Sequence, residues 1–363
     1  MADPDDIPEA DRAEGVPHPR HTTALFGHDQ AMQTFIGAAQ SGRLHHGWLI
    51  TGPKGIGKAT FAWGAARYLI DGDFSQSMFP QDCDTPVFRR TSALAEPRMT
   101  LCRRGWDHKT KRLKTVITVD EVRKLKSFFA LSATDGGWRV AIVDAADEMN
   151  MAAANALLKI LEEPPDRAVI LLVCHQPGRL LPTIRSRMLS LPLSNLDQSD
   201  FSAALSGIQQ TDPAHIPALY ELSGGAVGRA AAIEGAGGRE LYGDMVAALS
   251  TLPRLDRQMI SALADSAAGR GAEARYELLR DLTGFFLARA AKVAAGSPPP
   301  TEAARGESAL LARLAATSRA APILAELAQS LDGRQAHANA VNLDPALVIL
   351  DTFLKIEAAA NAL

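Results

Sequence analysis

An α/β fold built on a parallel sheet, followed by a purely helical remainder, is what this 363-residue sequence predicts. Three observations carry the expectation. Apolar runs alternate with helix-period patterns between about 22 and 190, as in strands joined by crossover helices. A glycine-rich loop, Gly52-Pro53-Lys54-Gly55-Ile56-Gly57-Lys58-Ala59-Thr60, sits between an apolar run and a helical pattern. After about residue 195 the strand pattern stops, and Ala- and Leu-rich segments continue to the end.

Taken in order, residues 1–20 carry Asp, Glu and Pro without an apolar core and read as a disordered leader. Gly47–Thr51 is the first buried strand, and Phe61–Ala66 opens the helix after the loop. Residues 71–114 are hard to assign. They hold Arg89, Arg90, Arg98, Arg103, Arg104, Lys109, Lys111, Arg112 and Lys114 with few acids. A solvated insertion with locally balanced charge is favoured there over a nucleic-acid surface. Thr115–Val119, Arg139–Asp144 and Ala168–Cys174 read as further strands, the last an unbroken apolar run suited to burial on both faces. Between the last two, Met151–Glu163 has Leu157, Ile160 and Leu161 on one helical face and stops at Pro164-Pro165.

The α/β domain is thus expected over 21–195, a small helical domain over 196–245 and an all-helical domain over 246–363. In the last, Leu278, Leu282, Phe285 and Arg289 recur at helical spacing. Gly296–Pro300 is a loop, and Asp344-Pro345 is an N-cap followed by proline in the first turn.

Composition narrows the class. Hydrophobic content of 47%, charged content of 22% and a net charge of −3 describe an ordinary globular chain with no bulk attraction to polyanions. No apolar run approaches the roughly 20 residues of a membrane span. Three cysteines, Cys83, Cys102 and Cys174, form no C-x-x-C pair. That argues against zinc or a disulfide framework and for a reducing cytoplasm.

The loop carries the chemistry. Glycines 52, 55 and 57 let the backbone N–H groups turn toward phosphate oxygens, with Lys58 reaching the outer phosphates at a helix N-terminus. The pattern asks for Ser or Thr after the lysine, to hold magnesium, and finds Ala59. Thr60 is rotated by about 100° along the helix and is no automatic substitute. Val140–Asp144 supplies the strand-end carboxylate that would hold the magnesium shell. The following position, where a water-orienting acid would stand, is Ala145, and Asp147 and Glu148 lie past the strand end. Nucleotide binding with weak hydrolysis is the expectation. No carboxylate constellation for polymerisation is visible.

Three further runs make the resemblance specific: Arg43–Pro53, Asn155–Pro165 and Leu180–Arg187. With the loop they resemble the AAA+ clamp-loader ATPase family, most closely its delta-prime branch in bacterial DNA polymerase III. The resemblance is strong over about 24–195 and weaker beyond, where Asn342-Leu343-Asp344-Pro345 also fits. It implies a RecA-like AAA+ domain, a small helical lid and a helical collar that joins other subunits. It also implies ATP or ADP as a weakly hydrolysed ligand, with Mg2+ only alongside the nucleotide.

In the family a Ser-Arg-Cys motif supplies an arginine finger to the neighbouring subunit. Ser186-Arg187-Met188 matches its first two positions, so Arg187 inherits the role. A rigid, permanently charged guanidinium suits a γ-phosphate held by another chain. The family's second sensor is Gly-x-x-Arg, whereas Gly225-Ala226-Val227-Gly228-Arg229 places Arg229 one position late. Motor subunits keep the hydroxyl, the Asp-Glu pair and a four-cysteine zinc module, all missing here. The resemblance therefore implies a non-motor subunit of a hetero-pentamer with motor and delta subunits, meeting the sliding clamp and primed DNA through the complex. Two alternatives stand beside it: a motor using Thr60 with Asp147 or Glu148, and a DNA-binding module using the basic stretch 89–114.

Overall fold

Five parallel strands form the central sheet: β1 (Gly47–Thr51), β2 (Met99–Cys102), β5 (Arg139–Asp144), β6 (Ala168–Cys174) and β7 (Leu189–Pro192). Their order across the sheet is β2-β5-β6-β1-β7. Two short strands, β3 (Trp106–Asp107) and β4 (Arg112–Leu113), make a separate antiparallel hairpin. This computed structural model describes residues 8–13, 15–80, 84–130, 136–269, 271–317, 319–340 and 343–363. Cys83 and Asn342 lie outside the described residues.

Burial explains the strands. All five residues of β1, all six of β5 and all seven of β6 are buried. Helix α1 (Asp29–Gln40) and helix α2 (Lys58–Asp71) contribute to one core layer, which includes Phe35, Phe61, Trp63, Trp48 and Ile50. Helix α4 (Val119–Ala130) and helix α5 (Met151–Glu162) contribute to the other, with Val122, Leu125, Leu157 and Leu161. Each such side chain is worth about 1.5–3 kcal/mol when fully buried. Helix α5 starts on the Asn150 side chain, which accepts the Ala153 N–H at 2.9 Å.

Two expectations require correction. Thr115–Val119 is not a strand: only Ile117 bridges, to Met149, and Val119 already begins α4. The β-branched run buries Ile117 but gives way to the helical spacing of Val122, Leu125 and Phe129. The two edges of the sheet are instead β2, from within residues 71–114, and β7. Nor are residues 8–13 and 15–20 of the expected leader disordered. Val16 and His18 are buried, and Pro19–His21 forms a 3-10 turn. Acidic residues there find cationic partners on the domain, which offsets the cost of ordering the chain.

By contacts the chain divides into two compact units, Met1–Gln210 with Gly225–Ala232, and Thr211–Gly224 with Ile233–Leu363. The second unit is helical. It contains α8 (Ile216–Ser223), α10 (Gly238–Leu249), α11 (Arg257–Ser266), α12 (Glu273–Ala294), α13 (Glu307–Leu314), α14 (Ala320–Ala340) and α15 (Pro345–Ala362). Helix α12 buries Leu279, Leu282, Phe286 and Arg289, so its inner face is turned slightly from the Leu278–Phe285 stripe expected from spacing. Asp344 caps α15 through the Ala346 N–H at 2.9 Å, with Pro345 in the first turn. No helix among the described residues is long and apolar enough to cross a membrane.

Candidate functional site

The glycine-rich loop leaves the C-terminal end of β1, where parallel α/β sheets bind ligands. Gly52, Gly55 and Gly57 take φ values of 141°, 81° and 108°, a curl that side-chain-bearing residues resist. Lys58 opens α2 and is buried, its Nζ donating to the carbonyls of Gly52 at 2.7 Å and Pro53 at 2.6 Å. Burial pulls its pKa down to about 8, although Asp144 and Asp147 oppose the shift. Pro53 and Lys54 are exposed, Ile56 is buried, and Ala59 and Thr60 lie half-buried in the first turn of α2.

Asp144 ends β5 at the same edge and is buried. Burial first, then the nearby charge of Asp11, push its carboxyl up to about 8. Ala145 follows, also buried. The two acids beyond it are engaged elsewhere. Asp147 accepts the backbone N–H groups of His175 at 2.9 Å and Gln176 at 3.2 Å, and Glu148 pairs with Arg104 at 2.8 Å. Neither is free to orient a water.

The donor set fits a nucleotide phosphate: inward-curling glycines, a lysine and a helix N-terminus. It lacks one ligand of a catalytic magnesium site, because Ala59 has no hydroxyl. Among the described residues no group of three or more His, Cys, Asp or Glu is placed to hold a metal. Cys102 is buried and its thiol is pushed up to about 12, chiefly by that burial.

The start of helix α9 (Val227–Gly235) lies on the outside of the loop. Gly228 donates its N–H to the Gly55 carbonyl at 2.8 Å, and a Cβ on Gly55 would fall 2.6 Å from the Arg229 nitrogen. The shift of one position in the sequence therefore still brings Arg229 to the loop, with its side chain exposed.

Ser186 and Arg187 sit at the opposite end of the sheet. Trp48 of β1 is in register with Leu189 of β7, so Arg187 precedes the strands while the loop follows them. The five residues of β1, at about 3.3 Å each, separate the two ends by about 15 Å. Arg187 pairs with Glu162 at 3.1 Å and donates to the Thr183 carbonyl at 3.0 Å, and Ser186 Oγ donates to that carbonyl at 3.1 Å. Met188 packs over Gly47, where an added Cβ would lie 2.5 Å from its sulfur.

Sequence reasoning missed His175. It is the first polar residue after the apolar run of β6, its Nδ1 is buried without a hydrogen-bond partner, and burial, then Lys58, hold its pKa well below the ordinary value. The signal was its place at the end of a strand beside β1, the edge that carries the loop.

The sheet order, the loop and the Asp144 strand end define an AAA+-like P-loop domain. Residues 27–197 match the family model described as "DNA polymerase III, delta subunit". The chain is 33% identical over 219 residues to the DNA polymerase III subunit delta' of Pseudomonas aeruginosa, covering 57% of this chain and 61% of that protein. It is 27% identical over 215 residues to the subunit gamma/tau of Mycobacterium tuberculosis, covering 57% of this chain and 35% of that one. Thus it spans less than two thirds of either relative. A solved gamma subunit-related protein from Thermotoga maritima matches 91% of this chain and 99% of its own at 18% identity, with a TM-score of 0.42. Over residues 27–197 the chain is thus similar to delta and delta' subunits of DNA polymerase III.

Proposed function

We propose that this chain acts as the non-hydrolysing delta-prime, or stator, subunit of a clamp loader, donating Arg187 to the nucleotide site of a neighbouring motor subunit. The observation that carries this reading is the separation of Arg187 from its own loop, at opposite ends of β1. The guanidinium cannot serve phosphates bound in cis. Its pair with Glu162 is half-exposed, and such pairs contribute about 0–1 kcal/mol, so a γ-phosphate presented by another chain can displace it cheaply.

The degenerate loop supports the same reading. Without a hydroxyl at Ala59 or a free acid after Asp144, ATP or ADP would be held weakly and hydrolysed poorly, with Mg2+ arriving only with the nucleotide. Residues 196–245 would be a lid and 246–363 a collar. The partners would be motor and delta subunits, and through them the sliding clamp and primed DNA, in the cytoplasm.

The test is ATP turnover by the purified chain, alone and with motor subunits. The expected result is no turnover alone and a stimulated mixture whose gain disappears with Arg187→Ala. Turnover by the chain alone, abolished by Lys58→Ala, would make it a motor. The DNA-binding alternative is disfavoured by charge pairing. Arg90 and Arg98 share Glu96, Arg103 is clasped by Glu9 and Asp11, and Arg104 holds Glu148. A steep salt dependence of DNA affinity in the isolated chain would revive it.

A further inference from the structure

The basic stretch 89–114 divides in two. From Arg90 to Arg104 its charges are satisfied within the fold, Arg90 and Arg98 by Glu96, Arg103 by Glu9 and Asp11, and Arg104 by Glu148. Beyond Arg104 the pairing stops. Among the described residues no ion pair reaches Lys109, Lys111, Arg112 or Lys114. These four cations lie on the hairpin of β3 and β4, and residues 108–112 at its tip are all exposed. Asp107 is the only acid between 97 and 119. Its carboxylate is turned into the loop, where it accepts the N–H of Lys109 at 2.8 Å and of Thr110 at 3.4 Å.

The hairpin is held at its foot. Trp106 lies opposite Leu113 and Asp107 opposite Arg112, and Lys114 donates its N–H to the Gly105 carbonyl at 2.9 Å. That foot presses on α4, where a Cβ added to Gly105 would fall 3.1 Å from Glu121 Oε1. At the tip, Lys111 takes a φ of 52°, a left-handed conformation that Gly or Asn adopts at lower cost. The turn therefore carries a cation where backbone geometry alone favours another residue.

The chemistry of the tip selects the partner. His108-Lys109-Thr110-Lys111-Arg112 contains no apolar side chain, whereas protein partners are gripped through buried aromatic or apolar anchors. Trp106 and Leu113 are half-buried at the foot. What remains is positive charge concentrated at the end of a two-stranded ribbon. DNA carries one charge per about 1.7 Å of helix axis, and its major groove admits such a ribbon.

We propose that the β3–β4 hairpin is a contact to the phosphate backbone of DNA, made directly by this chain through Lys109, Lys111, Arg112 and Lys114. Only the unpaired end of 89–114 takes part; the paired arginines do not. The contact goes beyond the stator reading and involves neither Arg187 nor a motor subunit, so the two fail separately.

The experiment titrates the full chain into a short fluorescent DNA duplex with a single-stranded overhang and follows anisotropy in salt from about 20 to 200 mM. Four phosphate contacts predict a slope of log affinity against log salt of about −3 to −4. K109Q/K111Q and R112Q/K114Q should each make it shallower by about 2. An unchanged slope in both would overturn the proposal. A parent slope of about −8 would also overturn it, because the paired arginines would then be meeting DNA as well. So would a fluorescent polyglutamate of equal charge that binds more tightly than the DNA, which would assign the hairpin to an acidic protein. Should one double change fail to fold, the other reads the same contact.

Discussion

The Asp147 carboxylate accepts the backbone N–H of His175 at 2.9 Å, tying the turn after β5 to the end of β6. With the second bond, to the Gln176 N–H at 3.2 Å, the acid nearest to a catalytic position becomes a brace between strands. Asp147→Ala should cost about 1–3 kcal/mol by leaving those donors unpaired. Asp147→Asn, which keeps one acceptor oxygen, should recover part of it. Urea midpoints of the two variants against the parent check this.

Asp144 should make stability fall as pH rises. Its folded pKa of about 8 stands above the ordinary 3.8, so between those values the folded state holds a proton that the unfolded state has lost. The stabilisation is full below about pH 4 and gone above about pH 8. Asp144→Asn should therefore change little near pH 4 and gain about 2 kcal/mol or more at pH 8. Thermal melts across pH 4–9 decide it; a constant difference across the range would contradict the assigned shift.

Gly55 should tolerate no side chain. Its φ is +81°, and an added Cβ would fall 2.6 Å from backbone nitrogen of Arg229. Gly55→Ala must both strain the loop and push the start of α9 away, at a cost of about 1–3 kcal/mol. Faster amide exchange at 227–232 should accompany the loss.

In the helical unit, Arg289 joins Glu221 of α8 at 2.6 Å and Glu307 of α13 at 2.9 Å, and donates to the Thr301 carbonyl at 2.7 Å. Glu307 is fully buried and also accepts from Tyr242. Arg289→Ala would strand two carboxylates and should cost about 3–5 kcal/mol. Arg289→Lys should recover less than half, because an ammonium cannot reproduce the planar fork. Guanidinium unfolding of the three proteins measures both effects.

Local pattern alone determined much of this protein. The loop, β1, β5, β6, α5 and the start of α15 were legible because each rests on near-neighbour chemistry: glycine conformations, an apolar run, a cap, a proline. Ala59 and Ala145 were equally plain, since a missing oxygen can be read from one letter. Tertiary structure decided what depends on distant partners. The run Thr115–Val119 looks like a strand by itself, yet Ile117 is buried while the chain turns helical, and an edge of the sheet goes to β2. The acidic stretch before residue 21 looks unfoldable until Arg103, some ninety residues away in sequence, clasps Glu9 and Asp11. That the backbone of Gly228 and Arg229 packs on Gly55 was not visible in the spacing of the sequence. Arg187 is separated from its own loop by the length of a strand, which only sheet register reveals. Periodicity reports which face of an element is apolar; which charges meet across the fold depends on contacts that sequence distance does not encode.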